Sequence, residues 1–300
     1  MSAAEQLEST TIRLSEERFD RAVQVADDVW LIATKHRPGY SQMQPEINNR
    51  CFVFRLRDHQ KPVLLVANGV DPRHAVPEVK RIERETGLSV RYIVSPGGGH
   101  HLRLPEWRDA FEEATVLVGP EVAGKTTARK LLDGPRVSVM NPADPLPQFR
   151  GQLDAVLFDG LYGFPERQTP FEGGKESAFT MFKIMWAMMN LHTPADELWL
   201  HHAATDTVIA GENLGWIMSA KTIAGFPFMM RKMLKPDSVY VNEVARKVAD
   251  PGKVAAHWRE ILAWPSRTLL GYHEPPGEGF IGDGRAALAA AVEAAKQLQP

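Results

Sequence analysis

The chain has 300 residues, with 35 Lys+Arg against 37 Asp+Glu and 44% hydrophobic residues, a globular composition that excludes disordered, collagenous and fibrous classes. A net charge of −2 offers no basic excess for a phosphate backbone, so no nucleic-acid partner is expected. The single cysteine, Cys51, rules out an intrachain disulfide and any cysteine-built zinc finger, so a metal would have to be held by His, Asp, Glu or Asn.

One domain over residues 1–300 is expected, with residues 1–21 as a flexible or partner-contacting N-terminal arm. That arm mixes Glu, Arg and Ser and has no apolar core of a signal peptide. The most apolar stretches, Phe179–Met189 and Ile223–Met233, are broken by Lys183, Pro227, Arg231 and Lys232, short of the roughly 20 uninterrupted residues that span a bilayer. The expectation is a cytoplasmic protein without a membrane partner.

In chain order, Asp28–Ile32, Cys51–Leu56 and Pro62–Val66 are β-prone runs, the last two joined by a polar turn at His59. The pattern then alternates: helix Ala75–Thr86, strand Val90–Val94, helix Pro105–Ala114, strand Thr115–Val118, helix Gly124–Leu132, and strands Arg136–Val139 and Ala155–Phe158. Asn141–Gln148 is proline-rich and reads as a surface connector. Past Gly160–Gly174, strands Glu197–His202 and Thr207–Ala210 pair about a turn at Thr205-Asp206. Helices are expected at Ile217–Leu234, Asp237–Ala249, Val254–Ala263 and Arg285–Leu298, with a late strand at Thr268–Tyr272. Two half-sheets, each with helices for its outer face, make an α/β four-layer αββα sandwich.

Three loops follow strand ends, where a rigid sheet can aim polar side chains at one point. Ser95-Pro-Gly-Gly-Gly-His-His-Leu102 places His100 and His101 on an irregular backbone, where adjacent imidazoles can face one ion, as they cannot on a strand. Ala210-Gly-Glu-Asn-Leu214 offers Glu212 or Asn213, and Gly271-Tyr-His-Glu-Pro275 offers His273. His201 and His202, beside a hairpin turn, read as solvated, and Met181–Met189 as core packing.

A competing motif, Gly119-Pro-Glu-Val-Ala-Gly-Lys-Thr126, matches GxxxxGK[ST] through Gly119, Gly124, Lys125 and Thr126, with Asp159 as a magnesium-binding acid at a later strand. Glu121 would sit among N–H groups meant for phosphates, and the strand-end histidines would be unexplained. Without nucleotide binding, Lys125 reads as an exposed residue in a helix's first turn.

With these loops in place the sequence resembles the metallo-β-lactamase superfold from Asp28 to the closing helix, and most of all a branch that includes the hydrolytic chlorothalonil dehalogenases. Overlaying its HxHxDH signature on Pro96-Gly-Gly-Gly-His-His101 removes the first two histidines and leaves His100 and His101. Thr193-Pro-Ala-Asp196 stands where a Pro-Gly-His turn is usual, and Ala67-Asn68-Gly69 lacks the usual early acid. The resemblance implies one Zn²⁺ or similar divalent transition metal per chain, held by His100, His101, His273 and Asn213, with Glu212 as the alternative to Asn213. Such a site keeps a position for a metal-bound water and needs no side-chain base. The implied activity is hydrolysis of a small, halogenated or aromatic molecule in a pocket lined by Trp216, Phe226 and Phe228. A P-loop nucleotide hydrolase and a non-catalytic binding descendant of the sandwich stand as alternatives, and a homodimer is left open.

Overall fold

The computed structural model describes residues 16–36, 47–58, 61–67, 70–97, 103–125, 134, 136–163, 193–211, 214, 218–225, 231–232, 235–236, 238–241 and 248–296. The described strands form two sheets. The first runs β1 (Ala22–Ala26), β2 (Val29–His36), β3 (Ile47–Asp58), β4 (Lys61–Ala67), β5 (Val90–Val94), β6 (Thr115–Val118) and β7 (Val137–Val139) in that spatial order. The second is ordered β12 (Phe280–Ile281), β11 (Thr268–Leu270), β10 (Thr207–Ile209), β9 (Thr193–His202) and β8 (Leu153–Gly163).

Chain order and pairing follow from the connections. β1 to β4 are antiparallel neighbours, and the expected hairpin closes with Asp58 opposite Lys61. From β4 onward the pairing turns parallel, which requires crossovers. Helices α1 (Pro72–Thr86) and α2 (Leu104–Ala110) supply the first two. α1 begins where Asp71 accepts the Arg73 N–H with Pro72 in the first turn, and it ends at Gly87 with φ 69°. Its Ala75, Val79 and Ile82, spaced four and three residues apart, are buried.

Strand alternation divides the interior into three apolar layers. Phe52, Phe54 and Leu65 of the first sheet meet Leu157, Leu198, Leu200 and Ile209 of the second in one cluster between the sheets. Cys51, Val53, Leu64 and Val66 point the other way, into a cluster with Val79, Ile82 and Trp107 of α1 and α2. Val156, Phe158 and Trp199 do the same on the second sheet. They pack against Val254, Trp258 and Ile261 of α5 (Pro251–Ala263) and Leu288 and Val292 of α6 (Gly284–Lys296). Three buried layers between four tiers of structure are the αββα sandwich expected from the sequence. Because both faces of each sheet are covered, the strands read as near-continuous apolar runs.

Several expectations need correction. A short helix, α3 (Pro120–Ala123), precedes the helix expected at Gly124–Leu132, because Pro120 is suited to a first helical position; residues 126–132 of that expected helix lie outside the described residues. Ile217–Leu234 contains the short α4 (Ala220–Ala224), capped by Ser219 and closed at Gly225. At the start of the helix expected over Asp237–Ala249, Val241 instead makes a bridge with Leu214, and at its end Val248 bridges to Leu161. β-Branched valines after Pro236 favour extended backbone there. The connector Asn141–Gln148 is only partly on the surface, since Pro145 and Leu146 are buried. Within the expected N-terminal arm, Glu17 is 1% exposed and Phe19 bridges to Ala33. The Met181–Met189 stretch lies outside the described residues.

Candidate functional site

The ends of β5, β10 and β11 meet the middle of β9 at one rim of the sandwich. Gly97, on the loop that leads to His100 and His101, bridges to Glu197 of β9, and the Leu198 N–H donates to the Pro96 carbonyl at 2.8 Å. β10 and β11 run parallel, and the Ala210 N–H donates to the Leu270 carbonyl at 2.8 Å. A Cβ on Gly211 would stand 2.8 Å from the Glu197 carboxylate and 2.7 Å from Trp199 Nε1. The segment that leads to Glu212 and Asn213 therefore passes directly over β9, and glycine is required for that approach. His273, three residues past β11, is 8% exposed.

The described stems that lead to the three predicted ligand groups thus meet at one rim. His100, His101, Glu212 and Asn213 themselves lie outside the described residues, as do Trp216, Phe226, Phe228 and Thr126. Among the described residues no group of three or more His, Cys, Asp or Glu could hold a metal ion. The donor set nevertheless fits a zinc-type ion in its chemistry: imidazoles together with one carboxylate or amide oxygen.

The GxxxxGK[ST] segment takes a different form from a phosphate loop. Gly119 alone separates β6 from α3, so no cradle of backbone N–H groups forms between strand and helix. The anion at that turn is the protein's own: Asp196 of β9 accepts the Glu121 N–H at 2.9 Å through Oδ2. A Cβ on Gly119 would lie 2.1 Å from that oxygen. Asp196 is 1% exposed, and its Oδ1 has no hydrogen-bond partner among the described residues. Burial pushes its carboxyl up to about 6. The Glu121 N–H and Lys125 oppose that rise, while the charges of Glu121 and Asp159 add to it. Lys125 is 8% exposed rather than on the surface, a correction that follows from the short helix turning it inward.

Asp159, the acid of the nucleotide reading, is engaged elsewhere. Its carboxylate accepts from Lys253 Nζ at 2.8 Å and faces His257 Nε2 at 2.7 Å, both on α5. Burial would raise its pKa, but these two hydrogen bonds outweigh it and hold the group below the usual carboxylate range.

His201 and His202 are buried, at 3% and 4% exposure, instead of solvated. Strand alternation sends them to opposite faces. His201 stacks on Trp264 with ring centroids 5.5 Å apart, and its Nδ1 lies 3.3 Å from Asp154. His202 faces Phe54 and pairs through Nδ1 with Thr205 Oγ1 at 2.8 Å. They cannot share an ion.

An ionic cluster that composition and motif reading missed sits beneath the His273 loop. Arg50 of β3 is fully buried. Its Nε and Nη2 donate to the two oxygens of Glu17 at 3.0 and 2.8 Å, and its Nη1 donates to Glu274 at 3.2 Å. No periodicity marks an arginine whose partners lie 33 and 224 residues away. For Asp196 a signal was present, since it occupies the departure from the Pro-Gly-His turn.

Among the described residues no helix is long and apolar enough to cross a membrane. No family model matches the sequence, and no curated protein matches it. Solved structures do share the architecture. A metallo-β-lactamase from Pontibacter korlensis superimposes with a TM-score of 0.50 at 10% identity, covering 93% of this chain and 99% of that one. DIM-1 metallo-β-lactamase exposed to ceftazidime gives 0.51 at 10% identity, covering 93% and 97%. TMB-1 gives 0.55 at 9% identity, covering 92% and 97%. The likeness is one of fold.

Proposed function

The chain has the metallo-β-lactamase fold, and we propose that it is a metal-dependent hydrolase of a small, halogenated or aromatic molecule, akin to a hydrolytic dehalogenase. The observation that carries this reading is the convergence of the β5, β10 and β11 ends at one rim, joined by the Gly97 bridge to Glu197 and the Ala210 bond to Leu270. Those three loops bear His100 and His101, Asn213 or Glu212, and His273. One zinc-type ion held by these residues would supply Lewis acidity, which brings the ionisation of water toward neutral pH.

The rest of the chemistry falls to the chain. With Asn213 in the set, the donors are neutral and leave most of the ion's charge for the reacting groups; with Glu212, part of it is cancelled. Trp216, Phe226 and Phe228, beyond the β10 loop, would wall an apolar pocket and exclude water from it. Asp196 replaces an imidazole donor of the fold's usual turn with a carboxylate committed to α3, which supports a single ion rather than two. The nucleotide reading is disfavoured by the one-residue turn at Gly119 and by the carboxylate already seated there.

Elemental analysis of the purified protein tests the proposal. One zinc-like ion per chain is expected, with most of it lost in His101→Ala. His74→Ala is the proper control because His74 is half exposed, whereas His201 is packed on Trp264. A metal-free wild type that stays inactive after Zn²⁺ is added would sink the enzyme reading and favour the binding descendant. Replacing Glu212 by Gln and Asn213 by Ala separately decides between the two oxygen donors.

A further inference from the structure

We propose that Arg50 is the positioning residue of the rim site: its buried guanidinium fixes the loop that carries His273. The inference rests on the reading of His273 as a ligand and goes beyond it, to what holds that ligand in place.

The loop after β11 is built around this one residue. The Arg50 backbone N–H donates to the Tyr272 carbonyl at 2.8 Å, while from its side chain Nη1 donates to the Gly271 carbonyl at 3.4 Å and Nη2 donates to the Pro275 and Glu278 carbonyls at 3.2 and 2.6 Å. Backbone contacts from Arg50 thus fall on both sides of His273. Glu274 folds back over the same segment. A Cβ on Gly271 would stand 2.1 Å from its Oε1, and one on Gly279 would stand 2.4 Å from its Cγ and 2.8 Å from Arg50 Nη1. Gly279 also has φ 77°, so the loop has little alternative to its present course.

The counter-ions come from a distance. Glu17, ahead of β1, takes the fork of Arg50 with both oxygens, and its Oε2 also accepts the Gly277 N–H at 2.8 Å. Glu278 accepts the Ser219 N–H and hydroxyl at 2.9 and 2.8 Å and the Thr222 hydroxyl at 2.7 Å. This ties the loop to the cap of α4, on the segment that follows Asn213. Burial alone would lower the Arg50 pKa, but Glu17, Glu274 and Glu278 together raise it, so the charge is permanent. A planar fork meeting two carboxylates and three carbonyls sets direction as well as charge, which an ammonium group cannot reproduce. Groups that orient metal-binding histidines typically alter affinity by about 10–100-fold when removed.

The test compares Arg50→Lys, Glu17→Gln and His273→Ala, each first shown to be folded by circular dichroism. Two readouts are used: Zn²⁺ affinity by competition with a chromophoric chelator, and the visible spectrum of the fully Co²⁺-loaded protein. His273→Ala should lose most of the affinity. Arg50→Lys and Glu17→Gln should each weaken Zn²⁺ binding about 10–100-fold and shift the Co²⁺ bands, which a loss of stability alone would not move at full loading. If Arg50→Lys does not fold, Glu17→Gln decides, because it keeps the shape of the side chain. Wild-type affinity and spectrum in the folded variants, with binding lost in His273→Ala, would overturn the positioning role and leave the ligand reading intact. Unchanged binding in His273→Ala would overturn both.

Discussion

The sandwich buries polar side chains at both of its ends, by different means. At the hairpin end, His201 and His202 stand on consecutive strand positions and are sent to opposite faces, His201 beside Asp154 of the neighbouring strand β8, 47 residues away, and His202 beside Thr205 of its own turn. At the rim end the buried groups are ionic, and their partners come from other elements: Asp196 on the turn of α3, and Arg50 between Glu17 and Glu274. Glycines at 119, 271 and 279 leave room for them. The hairpin end is satisfied within two neighbouring strands of one sheet and their turn, whereas the rim exists only when β3, β9, β11 and the segment before β1 are assembled together. Adjacent histidines on a strand are structural, and only an irregular loop can direct two of them to one point.

The largest effect should come from removing the rim's central charge. Arg50→Met leaves the carboxylates of Glu17 and Glu274 buried without a counter-ion, at a cost of about 3–5 kcal/mol, to be read by urea denaturation. A loss under about 1 kcal/mol, the scale of exposed ion pairs, would show that the cluster is open to solvent and erase the contrast between the two ends.

The two ends should also answer pH with opposite signs. Asp196 is raised to about 6 from 3.8. Between about pH 4 and 6 the folded protein therefore holds a proton that the unfolded chain has released, and stability falls as pH rises across that window, on the order of 2–3 kcal/mol. Asp196→Asn should flatten this part of the profile. His202 is lowered from 6.5 chiefly by burial. Its contribution is present above the unfolded value and is lost as pH falls below it, a dependence that His202→Gln should remove. Denaturation midpoints of the three proteins from pH 4 to 8 check both signs, and parallel profiles would contradict them.

A smaller effect is expected at the turn that the nucleotide motif occupies. Gly119→Ala brings a methyl group onto the Asp196 carboxylate and should destabilise by about 1–3 kcal/mol. Asp196→Gly in the same chain should relieve most of the clash, so the two changes would be non-additive. Simple additivity would mean that the carboxylate moves aside freely. Smallest is Thr205→Val at the hairpin end. It removes the hydroxyl that serves His202 at 2.8 Å and Thr207 at 3.0 Å and should cost about 1–2 kcal/mol, measured by thermal unfolding, without altering metal content.

Much of the sandwich was legible because its signals are local. Runs such as Cys51–Leu56 and Val90–Val94, and the Ala75, Val79, Ile82 spacing, carry strand and helix periods whatever surrounds them. β1 and β12 were missed because five residues with a half-exposed pattern and two residues respectively are too short for a period to show. The Gly119 motif stayed a competing reading for a physical reason: GxxxxGK[ST] describes residue types, while phosphate binding depends on the length of the loop before the helix, here reduced to one residue by Pro120. The histidine pair at 201–202 was misread because a turn nearby suggested solvent, while Trp264 and Phe54 from elsewhere cover both rings.

By itself the sequence determined the class of the fold and the strand-end loops on which histidines fall, since alternation and glycine placement act through neighbours along the chain. Burial of Arg50 against residues 33 and 224 positions away, the raised carboxyl of Asp196 and the inward turn of Lys125 were decided only by the tertiary structure. Desolvation and charge pairing depend on which distant groups the packed sheets bring together, and no local pattern encodes that.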